Sequence, residues 1–205
     1  EIDMRGGVRQ DPSAMQTLKI SDYESILSGL KYVQHVSPEV SQSGQVVNGN
    51  NNTTTTVYGV SPEYMTIELW TVQEGDCFTD EDVRKNAKVC LICKTVVDEL
   101  FPGGQNPIGR TIRFKNIPFR VVGVLKSKGY NNWGMDQDNL MIAPYTTGMK
   151  RLAAQNYFST INASALSEEL SDKAIEELTQ LLRENHKKKD GEDDDFTIRS
   201  QQEIM

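Results

Sequence analysis

Residues 158–199 read as strand, helix, strand, and this β-α-β order is the strongest constraint the sequence places on its own fold. The helix carries signals at both ends. Ser167 can cap the first turn, Glu168 and Glu169 put acids where the helix dipole favours them, and Lys187, Lys188 and Lys189 put cations at the far end. Leu170, Ala174, Leu178, Leu181 and Leu182 fall on one face. The flanking strands are 158–165 and 196–199, the second reached through an acidic turn at 190–195. A helix with one apolar stripe has to cover something, and a sheet built on those two strands is the nearest surface.

The other end of the chain is lighter in pattern. Residues 1–8 form a short strand in this reading, and Ser21-Asp22-Tyr23-Glu24 spells a capping box ahead of Tyr23, Ile26, Leu27 and Leu30 on one helical face. His35-Val36-Ser37-Pro38 ends that helix, because the residue before a proline avoids the helical region. Strands at 39–47 and 53–60 then meet across Asn48-Gly49-Asn50-Asn51-Asn52, which tolerates the positive φ a hairpin needs. In the middle, Thr79-Asp80-Glu81-Asp82 opens a capped helix, 88–93 is a strand, 95–101 a helix and 102–109 a long turn. Strands 110–115 and 119–125 are joined at Asn116-Ile117-Pro118; the second is apolar on both faces and belongs in the interior of a sheet. A loop at 126–139, a strand at 140–144 and a helical turn at 146–152 lead into the β-α-β segment. The class is α+β, with one subdomain built from both chain ends (1–62 and 119–205) and a mixed α/β subdomain inserted at 63–118.

Composition excludes several functions. With 22 Lys+Arg against 29 Asp+Glu the net charge is −7, which disfavours nucleic acid or an anionic membrane as a bulk-charge partner. No run approaches the roughly 18 apolar residues of a membrane span. The sequence opens without Met or an apolar signal region, as expected of a segment or a mature product. Three Cys and two His are few for a disulfide scaffold or a metalloenzyme.

Most motif-like runs have plain explanations. Cys90-Leu91-Ile92-Cys93 spells C-x-x-C, but in an apolar strand its two thiols point to opposite faces, so the cysteines are read as buried and structural. The run 102–111 lacks the G-K-[ST] of a phosphate loop and precedes a strand, so it is turn chemistry. Asp136-Gln137-Asp138 and 192–195 lack Ca²⁺-loop spacing and are read as solvated. His35 and His186 are each placed at a helix end, where an imidazolium is favourable. No nucleophile–base pair is present, and catalytic, cofactor and metal sites are all expected to be absent. Asn51 and Asn52 begin N-x-[ST] sequons, relevant only in a eukaryotic secretory pathway. The exception is Tyr130, Trp133 and Met135, large apolar residues in the polar 126–139 loop. They mark either a contact surface or, if Trp133 folds back, a local patch of core.

Gly59-Val60-Ser61-Pro62-Glu63-Tyr64, Glu74-Gly75-Asp76-Cys77-Phe78-Thr79, Leu100-Phe101 with Asn106-Pro107-Ile108-Gly109-Arg110-Thr111-Ile112-Arg113, residues 119–126 and residues 138–144 occur in an order that resembles MacB-type ABC transporter permeases, as does Val36-Ser37-Pro38. The resemblance implies the large extracytoplasmic domain between the first two of four membrane helices. It also implies a porter-like subdomain of β-α-β units from both chain ends and an inserted Sabre-like subdomain. The implied partners are a cytoplasmic ABC ATPase, which would hold ATP and Mg, and a second permease copy. A periplasmic adaptor and an outer-membrane channel complete the set in tripartite members. The implied function is coupling of ATP hydrolysis to export or mechanotransmission. The competing function is a sensor or scaffold that activates a cell-wall hydrolase or detects antimicrobial peptides. A free-standing enzyme using Cys90 or an acidic pair is the remaining alternative.

Overall fold

The computed structural model describes residues 2–4, 18–152, 155–189 and 191–200. In chain order the elements are β1 (Ile2–Met4), α1 (Ile20–Gly29), β2 (Val33–Asn48), β3 (Asn51–Val60), α2 (Tyr64–Ile67), β4 (Val72–Gly75), α3 (Asp80–Arg84), β5 (Val89–Ile92), α4 (Lys94–Leu100), β6 (Thr111–Phe114), β7 (Ile117–Leu125), β8 (Leu140–Pro144), α5 (Tyr145–Thr147), a π-turn (Gly148–Leu152), β9 (Thr160–Ala165), a 3₁₀ turn (Glu168–Leu170), α6 (Ser171–Asn185) and β10 (Ile198–Ser200). They form a mixed α/β fold in two compact units. The first comprises Glu1–Glu39, Glu63–Leu69 and Asn156–Met205, and the second Val40–Pro62 and Trp70–Gln155.

In the first unit β1 pairs in parallel with both β10 and β9, and β9 pairs antiparallel with the first part of β2. The β9–α6–β10 crossover thus spans one strand. Ala174, Leu178 and Leu182 of α6 are fully buried at a helical spacing, while Leu170 and Leu181 are only half-buried. Tyr23 meets Phe158 edge-on at 6.3 Å between ring centroids. Helix α1 starts at Ile20 with Lys19 at its N-cap, two residues earlier than a cap at Ser21 predicts. The Lys19 amide donates to the Asp22 carboxylate (3.0 Å), so Asp22 takes the reciprocal role expected of Glu24. Leu27, expected on the buried face, is exposed. His35 is not at the end of a helix: it sits in β2, which runs straight through Pro38. That is tolerated because the amide side of β2 faces away from β9 at this register: the Val36 amide, two residues earlier, donates to Glu63 Oε2 (3.1 Å), so the N–H that Pro38 lacks costs the β2–β9 ladder no bond. Of the strand expected at 1–8, residues 2–4 form β1 and the rest lies outside the described residues.

In the second unit the strand order is β2, β3, β8, β5, β7, β4, with β6 pairing β2 and β7. The hairpin turn falls at Gly49-Asn50, with Gly49 at φ 60°. Strand β7 is interior, as its two-sided apolar pattern predicts: β5 lies parallel on one side, β4 and β6 antiparallel on the other. The core gathers Val46, Val57, Cys90, Ile92, Val96, Leu100, Phe114, Phe119, Val121 and Met141. Thr79 caps α3, its Oγ1 accepting from the Asp82 amide (3.2 Å). Helix α2 and strand β4 have no counterpart in the sequence reading.

The division differs from the boundaries 1–62, 63–118 and 119–205. Strand β8 pairs with β3 and with β5, and β5 with β7, so residues 40–60 and 119–144 are hydrogen-bonded to the middle of the chain. Residues 63–69 instead join the chain ends, because α2 packs on β9. No helix among the described residues is long and apolar enough to cross a membrane.

Candidate functional site

The 126–139 loop is a built structure, and its base is a single carboxylate. Asp138, 3% exposed, accepts from the Ser127 hydroxyl (2.6 Å) and from the amides of Lys128 (2.7 Å) and Gly129 (3.0 Å). Burial pushes the Asp138 carboxyl up, but these three donors outweigh it and hold the group below the ordinary carboxylate value. The expectation that this acidic run is solvated therefore fails at Asp138. The neighbouring Asp136 accepts from the Thr95 hydroxyl on α4, and the Thr95 amide donates to the Asp138 carbonyl (3.3 Å), so the loop base is joined to α4 twice. Lys128 places its ammonium 3.8 Å from the ring centroid of buried Trp70.

Above this base Tyr130 bridges antiparallel to Asp136, and the Asn131 side chain folds the tip. Its Oδ1 accepts from the amides of Trp133 (2.9 Å) and Met135 (3.0 Å), while the Asn131 backbone N–H donates to the Met135 carbonyl (2.9 Å). Gly134, at φ 75°, closes the turn. The outcome is that Tyr130, Trp133 and Met135 are 74%, 86% and 66% exposed. Trp133 does not fold back onto the protein. Three large apolar side chains project from a six-residue tip whose polar backbone groups are bonded inward. Sequence reasoning found the three apolar residues but missed Asn131 and Asp138, which position them; the Asn-Asn-x-Gly turn signal and an acid two residues before β8 were the available cues.

The other motif residues fall elsewhere. Cys93 is not in the strand but caps α4, so the C-x-x-C run does straddle a helix start. Cys90 and Cys93 have no accessible surface, and burial raises both thiols far above their ordinary range, so neither is a nucleophile in the folded chain. In the 102–109 turn, Asn106 Oδ1 accepts from the Ile108 amide (3.0 Å), a local turn bond. His186 does end α6, but it is held by more than the dipole: Nε2 lies 2.9 Å from Asp22 Oδ2 and Nδ1 lies 2.7 Å from Asp195 Oδ1. Among the described residues no group of three His, Cys, Asp or Glu side chains is arranged to hold a metal ion.

Comparison with known proteins places this architecture. The family described as MacB-like periplasmic core domain matches residues 2–181. The macrolide export ATP-binding/permease protein MacB of Syntrophobacter fumaroxidans is 40% identical over 163 residues, covering 79% of this chain and 22% of that protein. The crystal structure of the periplasmic region of MacB from Actinobacillus actinomycetemcomitans superposes with a TM-score of 0.78 at 30% identity, covering 96% of this chain and 87% of that one. The extracellular domain of the noncanonic ABC-type transporter YknZ from Gram-positive bacteria shares the fold, with a TM-score of 0.72 at 24% identity over 87% of this chain and 88% of that one. The chain spans 22–31% of the length of the first curated relatives it matches. With a family match over nearly nine-tenths of its length and the corresponding fold, the chain belongs to the MacB-like periplasmic core domain family.

Proposed function

We propose that this chain is the extracytoplasmic domain of an ABC transporter permease, and that it passes motion driven by a cytoplasmic ATPase to partners in the cell envelope. The unit built from the chain ends takes the porter-like part and the second unit the Sabre-like part. ATP and Mg belong to the ATPase, and this domain is neither a catalyst nor a cofactor carrier. The whole permease sits in the inner membrane with this segment outside it and works with a second copy. An adaptor and an outer-membrane channel receive what is exported.

One observation about the chain itself carries the reading: the 130–135 tip. Large apolar side chains left in water are unfavourable unless they are covered in the working assembly. A mobile loop would transmit little, whereas this one is pinned through Asp138 and Thr95 to the body of its unit. A rigid element ending in an aromatic anchor suits transmission across an interface. The test is Trp133→Ala in the full-length permease, with adaptor co-purification and export measured at matched expression. Both are expected to fall while the isolated 205-residue domain keeps its circular dichroism and melting temperature. Export and co-purification at the unmutated level would overturn the contact. The permease reading is checked separately by the coding DNA: a span of about 20 apolar residues is expected on each side, and polar flanks or stop codons would refute it.

A further inference from the structure

Among the described side chains Met135 is the one methionine that water reaches freely. It is 66% exposed, against 8%, 0% and 6% for Met65, Met141 and Met149. A thioether attacks a peroxide without first losing a proton, so its rate follows access rather than ionisation. The thiols do not compete with it. Cys90 and Cys93 have no accessible surface, and burial pushes the Cys77 thiol up to about 11, which leaves it almost no thiolate at neutral pH.

The build of the tip decides what an added oxygen does there. A sulfoxide is a strong hydrogen-bond acceptor, and a loop with free donors would fold over it. Here the donors are taken. The N–H groups of Trp133 and Met135 bond Asn131 Oδ1, that of Asn131 bonds the Met135 carbonyl, and that of Gly134 bonds the Asn131 carbonyl (3.0 Å). Below them the Gln137 amide donates to the Gly129 carbonyl (3.0 Å) and the Asp138 amide to Asp136 Oδ1 (2.8 Å). The Lys128 ammonium is held over the Trp70 ring. A sulfoxide oxygen at Met135 therefore faces whatever meets the tip. The fold loses nothing by it, because the Met135 backbone stays bonded at both its N–H and its C=O and the sulfur is already in water. The same change at Met141 would put an unpaired polar group into the core.

We propose that Met135 is a modification site, its thioether oxidised to the sulfoxide by hydrogen peroxide, and that the sulfoxide prevents the tip from docking. In that step the sulfur lone pair attacks one peroxide oxygen. The O–O bond breaks, an S–O bond forms, and the departing hydroxide takes up a proton and leaves as water. Sulfur gives up two electrons and the peroxide gains them. A dithiol reductase reverses the change: the oxygen leaves as water and the two thiols close to a disulfide. A partner seated on the tip covers the sulfur, so the modification acts on the free domain. Its effect on docking rests on the reading of the tip as a contact, whereas the oxidation itself does not.

The test treats the 205-residue chain with dilute hydrogen peroxide and follows its peptides by mass spectrometry. Met135 is expected to gain an oxygen at least about tenfold faster than Met65, Met141 and Met149, which must wait for a local opening. The melting temperature should hold while Met135 is the residue oxidised. A Met135 rate no higher than that of the buried methionines, or a melting temperature that falls in step with Met135 oxidation, would overturn the proposal. Docking is read in the full-length permease as adaptor co-purification after peroxide treatment, relative to the same protein untreated. That ratio should fall severalfold and return after treatment with a methionine sulfoxide reductase. In Met135→Leu, whatever its starting level, the ratio should not change, and a fall of equal size there would overturn the switch. If Trp133→Ala loses the adaptor and peroxide treatment does not, the switch falls and the contact stands. If neither loses it, both fall.

Discussion

His186 joins three segments of the first unit through one ring, and its protonation should be readable as stability. Its Nε2 meets Asp22 in the first turn of α1, its Nδ1 meets Asp195 ahead of β10, and Phe196 stands edge-on at 5.9 Å between centroids. The side chains of His186 and Asp22 are 10% and 2% exposed, so solvent screens the pair little. The hydrogen bond to Asp22 raises the imidazole first and most, burial opposes it, and Asp195 adds to the rise; together they move the group from 6.5 to about 9. The lowered Asp22 carboxyl is the same interaction seen from the other side and is not added again. At about 1.4 kcal/mol per pH unit, the displacement corresponds to about 3 kcal/mol. Because the folded value lies above the unfolded one, this stabilisation is fully present below about pH 6.5 and is lost as the pH rises through about 9.

The perturbation is His186→Gln, which keeps hydrogen bonding but carries no charge. Only two histidines are present, so a ring-nitrogen NMR titration resolves His186 from His35 with the variant as the assignment. Urea unfolding followed at pH 6.5, 8 and 9.5 gives the second readout. The unmutated chain should lose stability across that window, about 3 kcal/mol of it through His186. The variant should start lower by a similar amount and stay flat between pH 6.5 and 8, losing stability only towards pH 9.5, where the three thiols that burial raises ionise in the unfolded chain. An imidazole that titrates near its ordinary value, or a slope between pH 6.5 and 8 that persists in the variant, would refute the argument.

Asp138→Asn should lower stability by about 1–3 kcal/mol, because an amide cannot accept from all three donors that converge on the carboxylate. Limited proteolysis should then cut within 127–135, which the unmutated loop resists. In the unmutated chain the contribution of Asp138 is present above the ordinary carboxylate value and fades as the pH falls below it, so the loop should become cleavable in acid. The thiols give a further check. Ellman's reagent should find Cys90 and Cys93 silent in the folded chain and half-buried Cys77, whose thiol burial pushes up to about 11, slow; urea should release all three. Rapid labelling of two thiols without denaturant would contradict the burial.

Local chemistry was legible wherever one element decided it. The Asn-Gly turn, the Thr79 cap, the two-sided apolar β7 and the α6 stripe all follow from patterns a few residues long, and each is where it was expected. Turns made by unexpected residues were not. The β6–β7 turn is Lys115-Asn116, both at positive φ (49° and 68°), while Pro118, which pointed to a turn, lies inside β7. The 130–135 tip was half legible: its apolar residues stand out among Gly and Asn, but their exposure depends on Asp138 and Asn131 bonding the backbone inward.

The β2–β9 ladder was illegible for a deeper reason. Alternation of His35, Ser37 and Glu39 with Val36 and Pro38, and of Thr160, Asn162 and Ser164 with Ile161 and Ala163, is the pattern of a sheet with one face in water. The polar face is buried instead, and helix α2, which returns from the middle of the chain to pack on β9, gave no signal of its own. A polar face covered in this way must satisfy its hydrogen bonds internally, and it does so along the stripe until Ser164. A non-local contact, α2 on β9, thus reverses the meaning of a local pattern.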